Sequence, residues 1–207
     1  MIMKLRNYSQ EIYSVITILC ITLSAIFIRP DLTQQLALAY MFLFLLHMWE
    51  ENVYPGGFFD MLFGEVIGIE VPSEEKIIQG RVYVDLLVIF LTFLPYFGHM
   101  YAWLILPVAY LGLIEGFFHN CSIKIFKMNR TYTPGMVSGT CQFILSLYVF
   151  YTVIVSGSIE PWQYVAGLLI TLLGLAFMQI NGMRLNGIKP STMPKLMINN
   201  LKRIHGK

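Results

Sequence analysis

The sequence predicts an all-α integral membrane protein, a bundle of about six transmembrane helices with both termini in the cytoplasm. Three observations predict it. Hydrophobic residues make up 57% of the 207-residue chain and charged residues only 13%, against roughly 25% charged in an ordinary soluble domain. The apolar residues run in long blocks, not in short alternations, and mean hydropathy is +0.65. Finally, nearly all Lys and Arg fall in the intervening segments of one side.

A span needs about 20 apolar residues, within a range of roughly 17–25. The first candidate is 12–28. Lys4 and Arg6 before it give it the look of a secretory signal, but Ile26-Phe27-Ile28-Arg29-Pro30 is a poor cleavage site, so an uncleaved span is expected. The second, 35–49, is short but bounded by Arg29-Pro30-Asp31 and Tyr54-Pro55-Gly56-Gly57. Residues 58–70 place Phe59, Leu62, Phe63 and Val66 at helical spacing, with Asp60 and Glu65 between them. That segment reads either as an interfacial amphipathic helix, able to act as a lid, or as a connecting loop packed on the bundle. The third span, 82–97, holds Asp85 about one turn inside its start; the fourth is 101–118. The fifth, 136–156, begins after Tyr132-Thr133-Pro134-Gly135, and proline suits a helix's opening turn. The sixth is 162–181, and a basic cytoplasmic tail, 184–207, completes a single domain without internal repeats.

Charge tests the count. With the N-terminus inside, segments 1–11, 50–81, 119–135 and 182–207 are cytoplasmic and hold 13 of the 14 Lys and Arg; Arg29 alone lies outside. This is the positive-inside bias, and one span more or fewer would destroy it. A bacterial inner membrane is the expected location, with the lipid bilayer as partner and the basic tail near anionic headgroups. No glycine-rich phosphate loop or basic-aromatic patch indicates nucleic acid. Cys20, Cys121 and Cys141 lack metal-ligand spacing and read as structural thiols.

The chemistry gathers at the cytoplasmic ends of two spans. The second closes on His47, Glu50 and Glu51; the fourth closes on Glu115 and His119, followed by Asn120. Residues three and four apart share a helix face. Each helix therefore brings an imidazole and at least one carboxylate to one depth. An ionisable group such as Glu115 inside an apolar helix is expensive and needs a partner. The candidate site is His47, Glu50, Glu51, Glu115 and His119, supported by Asn120, Asp85, Tyr132 and Pro134, with Gln179 and Asn181 at a similar level. The opposite side offers mainly Asp31, His99 and Glu160.

Imidazole with carboxylate suits zinc, iron or manganese. Helical bundles hold di-metal centres with Glu and His on facing helices. The spacings here, His-x-x-Glu-Glu and Glu-x-x-x-His, are neither the Glu-x-x-His of that class nor H-E-x-x-H. Four histidines in the whole chain are too few for the boxes of membrane desaturases. A metal-free alternative uses Glu50 or Glu51 as general base, with a histidine as acid or oxyanion partner.

The ordered set His47, Glu50, Glu51; Glu115, His119, Asn120; Tyr132, Pro134, Gly135 resembles the HXXEE-domain family of small bacterial membrane proteins, from the second to the fifth helix. That resemblance implies a shared site and, since the family has no settled activity, little about substrate. CAAX-protease-like intramembrane peptidases, which also open on paired glutamates and use later histidines, are a more distant analogy. Their E-E-x-x-x-R pattern needs arginine at position 54 or 55 and finds Tyr54 and Pro55.

The expected function is a membrane-embedded enzyme, a hydrolase or related enzyme with or without a metal, whose cytoplasm-facing His/Glu site acts on a lipid-like or membrane-embedded substrate. Two alternatives stand beside it. One is a small proton- or cation-coupled transporter, which would need a homo-oligomer to supply the missing inverted repeat. The other is a non-catalytic assembly or immunity factor whose polar cluster fastens helices. The sparse outer half argues against a path across the membrane.

Overall fold

A computed structural model describes residues 8–206; Lys4, Arg6 and Lys207, used above for the orientation, lie outside the described residues. Eight α-helices and no strand form the described chain. Six are long and apolar enough to span a membrane: α1 (Ser9–Phe27), α2 (Leu32–Asn52), α4 (Glu74–Phe97), α5 (Leu106–Ile125), α6 (Met136–Ser156) and α7 (Pro161–Leu185). The protein is a multi-pass membrane protein. Between α2 and α4, the short α3 (Phe58–Asp60) runs into a π-helix, Met61–Ile67, and an amphipathic α8 (Met193–His205) ends the described chain.

The fifth span has the expected bounds, and others differ for local reasons. Asp31 and Gln34 cap α2 reciprocally: Gln34 N–H donates to Asp31 Oδ1 at 2.9 Å and Asp31 N–H to Gln34 Oε1 at 3.2 Å. Helix α4 starts at Glu74, not near 82, because Glu74 and Glu75 suit the positive end of the helix dipole and the polar stretch to Arg81 stays helical. Asp85 is therefore three turns inside its helix, not one. The fourth span opens with a 3₁₀ turn, Ala102–Ile105, and runs on to Ile125. Glu115 and His119 consequently sit within α5 instead of at its end. Pro134 lies just ahead of α6, outside its opening turn. The basic tail is no loose segment, since α8 packs on the bundle.

Close packing of α5 on α6 depends on glycines four residues apart, the small-xxx-small device of membrane helices. A Cβ on Gly112 would lie 2.4 Å from Ser146 Oγ, and one on Gly116 would lie 2.4 Å from Phe143 Cβ. Tyr40, Met41 and Phe44 of α2, Leu91 of α4 and Leu106 and Leu111 of α5 fill the core. Large apolar side chains such as Ile154 and Leu173 face outward, as a lipid solvent allows. At one end, Met61 and Val66 of the π-helix pack with Phe126 and Met128 under Met197, Leu201 and Ile204 of α8. Gln10 of α1 donates to the Met48 carbonyl at 3.2 Å. The start of the described chain thus lies beside the end of α2, and α8 packs on the π-helix that follows α2.

Candidate metal centre

Helices α2 and α5 each contribute one histidine and one glutamate four residues apart, which puts each pair on one face. His47 Nε2 stands 3.5 Å from Glu51 Oε1 and 3.7 Å from Glu115 Oε2. His119 Nε2 stands 3.3 Å from the same Glu51 oxygen and 3.6 Å from the same Glu115 oxygen. Donor atoms of His47, Glu115 and His119 all lie within 4.8 Å of one another.

These separations decide between two kinds of contact. Charge-assisted hydrogen bonds between imidazolium and carboxylate run at about 2.7–2.9 Å, shorter than any of the four. Donors bound about 2.0–2.2 Å from one tetrahedral ion stand roughly 3.3–3.6 Å apart; the separations of 3.3, 3.5 and 3.6 Å fall in that range and 3.7 Å lies just beyond it. Among the described residues, His119 Nε2 is also buried without a hydrogen-bond partner. The donor set and its spacing fit a divalent metal ion.

The surrounding hydroxyls fix which nitrogen faces inward. Ser138 Oγ–H donates to Glu50 Oε2, so its oxygen accepts from His47 Nδ1–H at 2.9 Å. Thr133 Oγ1–H donates to the His119 carbonyl at 2.9 Å, so its oxygen accepts from His119 Nδ1–H at 3.3 Å. Both networks assign the proton to Nδ1 and leave the Nε2 lone pair aimed at the carboxylates, the arrangement metal-bound histidines use. Gly135, at φ +90°, closes the cage. A Cβ there would come within 2.7 Å of Cε1 of both imidazoles and 3.0 Å of Glu51 Cγ.

Glu50 does not face the four donors. It turns to the start of α6, accepting from Val137 N–H at 3.0 Å, Ser138 N–H at 2.9 Å and the Tyr132 hydroxyl. A carboxylate at a helix N-terminus satisfies otherwise unpaired donors. Glu50 reaches His47 only through Ser138. Burial and the adjacent Glu50 carboxylate push the Tyr132 hydroxyl pKa up, keeping it a donor.

Other expected residues fall outside the cage. Asn120 points away, donating to the Gly116 carbonyl at 2.7 Å and to Thr140 Oγ1 at 2.9 Å. Asp85 is buried, with neither oxygen hydrogen-bonded among the described residues, but it belongs to a different interface, near Arg81. Asn181 bonds its own helix and Gln179 is exposed. Sequence reading missed Thr133 and Ser138 and had Gly135 only through the motif resemblance, although Tyr132-Thr133-Pro134-Gly135 was visible and Ser138 lies in the first turn after it.

The 58–67 segment covers the centre. The Phe58 ring lies 5.6 Å from the His119 ring and 6.3 Å from Phe118. Beside it a groove of about 280 Å³, whose lining includes Glu51, Phe58, Phe59, Val71, Ile77 and Arg81, reaches the centre at Glu51. His47, His119 and Glu51 are buried, whereas the Glu115 side chain is 23% exposed. Cys20, Cys121 and Cys141 are free thiols and take no part in the cage.

Comparison with known proteins finds no matching family, no matching curated protein and no matching solved structure.

Proposed function

We propose that the chain is a membrane-embedded metal-dependent hydrolase in which His47, His119 and Glu115 hold a divalent ion and Glu51 acts as general base. The observation that carries this reading is the convergence of two Nε2 lone pairs and two carboxylates at 3.3–3.7 Å. Zinc is the first expectation for such a set, with iron or manganese next. The bound ion would supply Lewis-acid polarisation and a water of lowered pKa.

The protein's own residues do the rest. Glu51 lines the groove and sits where it can take a proton from an entering water. Ser138 and Thr133 hold the imidazoles in register, and Phe58 and Gly135 limit space around them. The groove walls mix Phe58, Phe59 and Ile77 with Asp60, Glu74 and Arg81, which suits an amphipathic, lipid-like or membrane-embedded substrate. Lys and Arg asymmetry supports a cytoplasm-facing site in a bacterial inner membrane. The ordered motif set supports kinship with HXXEE-domain proteins, with Glu51 rather than Glu50 as the reactive carboxylate.

A transporter is the weaker reading. The buried polar stripe Ser138, Gln142 and Ser146 on α6 gives way to Val149 and Val153, which favours a one-sided site. Metal-loaded protein in nanodiscs, assayed on lipid esters, amides and phosphoesters, tests the proposal. Turnover by wild type that is lost in Glu51→Gln is the expected result. No turnover on any class, or equal turnover by Glu51→Gln, overturns it.

A further inference from the structure

We propose that α8 docks on anionic lipid headgroups and that this docking fastens the 58–67 cover over the centre. The helix has two chemically distinct faces. Its inner face joins Met197, Leu201 and Ile204 to Met61, Val66 and Phe126. Asn200, 5% exposed, donates to the carbonyls of Glu65 and Val66 at 2.7 and 3.0 Å. Gly68, at φ +78°, makes room for it, since a Cβ there would lie 2.6 Å from Asn200 Cγ. His205 Nε2–H donates to the Ile125 carbonyl at 3.0 Å, fixing the far end of α8 to α5.

The outer face is basic. Lys195, Lys202 and Arg203 are exposed, and Ile198, also exposed, lies between the lysines. The apolar face of α8 is taken up by the protein, so attraction to a charged bilayer surface rests on these exposed cations, as for a polybasic segment beside a membrane span. From position 161 to the last residue the sequence has six Lys and Arg and no Asp or Glu. Helix α8 begins at Met193, eight residues after the spanning α7 ends at Leu185, so headgroups are within reach. Charge complementarity therefore commits the face to anionic phosphate-bearing lipid rather than to a basic or neutral partner.

Coupling follows from the inner face. Asn200 and the apolar seam hold the π-helix, and the same segment puts Phe58 on His119. An ion pair from Arg130 to Glu65 ties it further to the loop carrying Thr133. Whatever holds α8 down therefore holds the cover down. The regulatory half of this inference rests on the metal-centre reading; the docking half does not.

Hydrogen exchange on metal-free protein separates the two. It compares nanodiscs of phosphatidylcholine alone with nanodiscs containing phosphatidylglycerol. Slower exchange, by up to about a hundredfold for three cations near the surface, is expected in both 58–67 and 193–205 in the anionic discs. High salt and the triple variant Lys195→Gln/Lys202→Gln/Arg203→Gln should abolish the difference. Asn200→Ala should keep the lipid response in 193–205 and lose it in 58–67. Equal exchange in the two lipids overturns docking, and would leave an acidic protein partner as the alternative. Protection of 193–205 without 58–67 in the wild type overturns the coupling.

Discussion

The imidazoles of His47 and His119 meet edge to face, with ring centroids 4.9 Å apart and planes at 86°, and both aim Nε2 at the same two carboxylates. They come from α2 and α5, so neither helix makes the centre alone. Their outer nitrogens are held by Ser138 of α6 and by Thr133 of the loop before it. The site is thus a product of three docked helices, and perturbing that docking should be felt in metal affinity.

The two glutamates should separate by role. Glu115→Gln is expected to lose the ion, because a neutral amide is a far poorer ligand than carboxylate. Glu51→Gln is expected to keep it and lose turnover. Metal content of the two purified variants checks this. An ion lost from both would mean a closed four-ligand site, which is the structural rather than the catalytic type.

Gly135→Ala should cost both stability and metal. Its left-handed backbone penalises a side chain by about 1–2 kcal/mol, and the added Cβ would push against both imidazoles. Gly157→Ala is the control, with φ +60° but nothing within 4 Å. Both should lower Tm, and only Gly135→Ala should also release metal. Equal metal content in the two would contradict the cage geometry.

Ser138→Ala should weaken metal affinity by about 10–100-fold, the usual effect of removing a hydrogen bond behind a ligand histidine. The helix should persist, since Glu50 still accepts from the Val137 and Ser138 N–H groups. Competition with a calibrated chelator measures the change, and an unaltered affinity would remove Ser138 from the site.

Gly116→Ala should destabilise the bundle by about 1–3 kcal/mol, because its Cβ would meet Phe143 Cβ at 2.4 Å and the Gly139 carbonyl at 2.7 Å. Gly182→Ala, with nothing within 4 Å, should be neutral or stabilising. Thermal unfolding in detergent compares them.

Much of this was legible in the sequence. Long apolar runs gave the spans, and four-residue spacing put Glu115 and His119 on one face, although His119 read as the helix end and not as a buried residue. The choice between Glu50 and Glu51 was not legible. Positions three and four beyond His47 lie to either side of it on the helix, and only the location of α6 decides which carboxylate turns inward. Asn120 could have been set aside, since neighbouring helical residues point about 100° apart. Helix α8 was also readable: Met193, Leu196, Met197, Asn200, Leu201 and Ile204 recur at spacings of one, three and four, but the lysines drew attention to charge instead. Thr133 and Ser138 were ordinary hydroxyls until the fold placed them behind the histidines.

Elemental analysis of detergent-purified protein, wild type beside His47→Ala and Glu115→Gln, tests the central claim most directly. Close to one zinc, iron or manganese per wild-type chain, absent from variants on two different helices, is the predicted result. A well-folded wild type that takes up no divalent metal, or variants that retain it fully, would contradict a metal centre shared by α2 and α5.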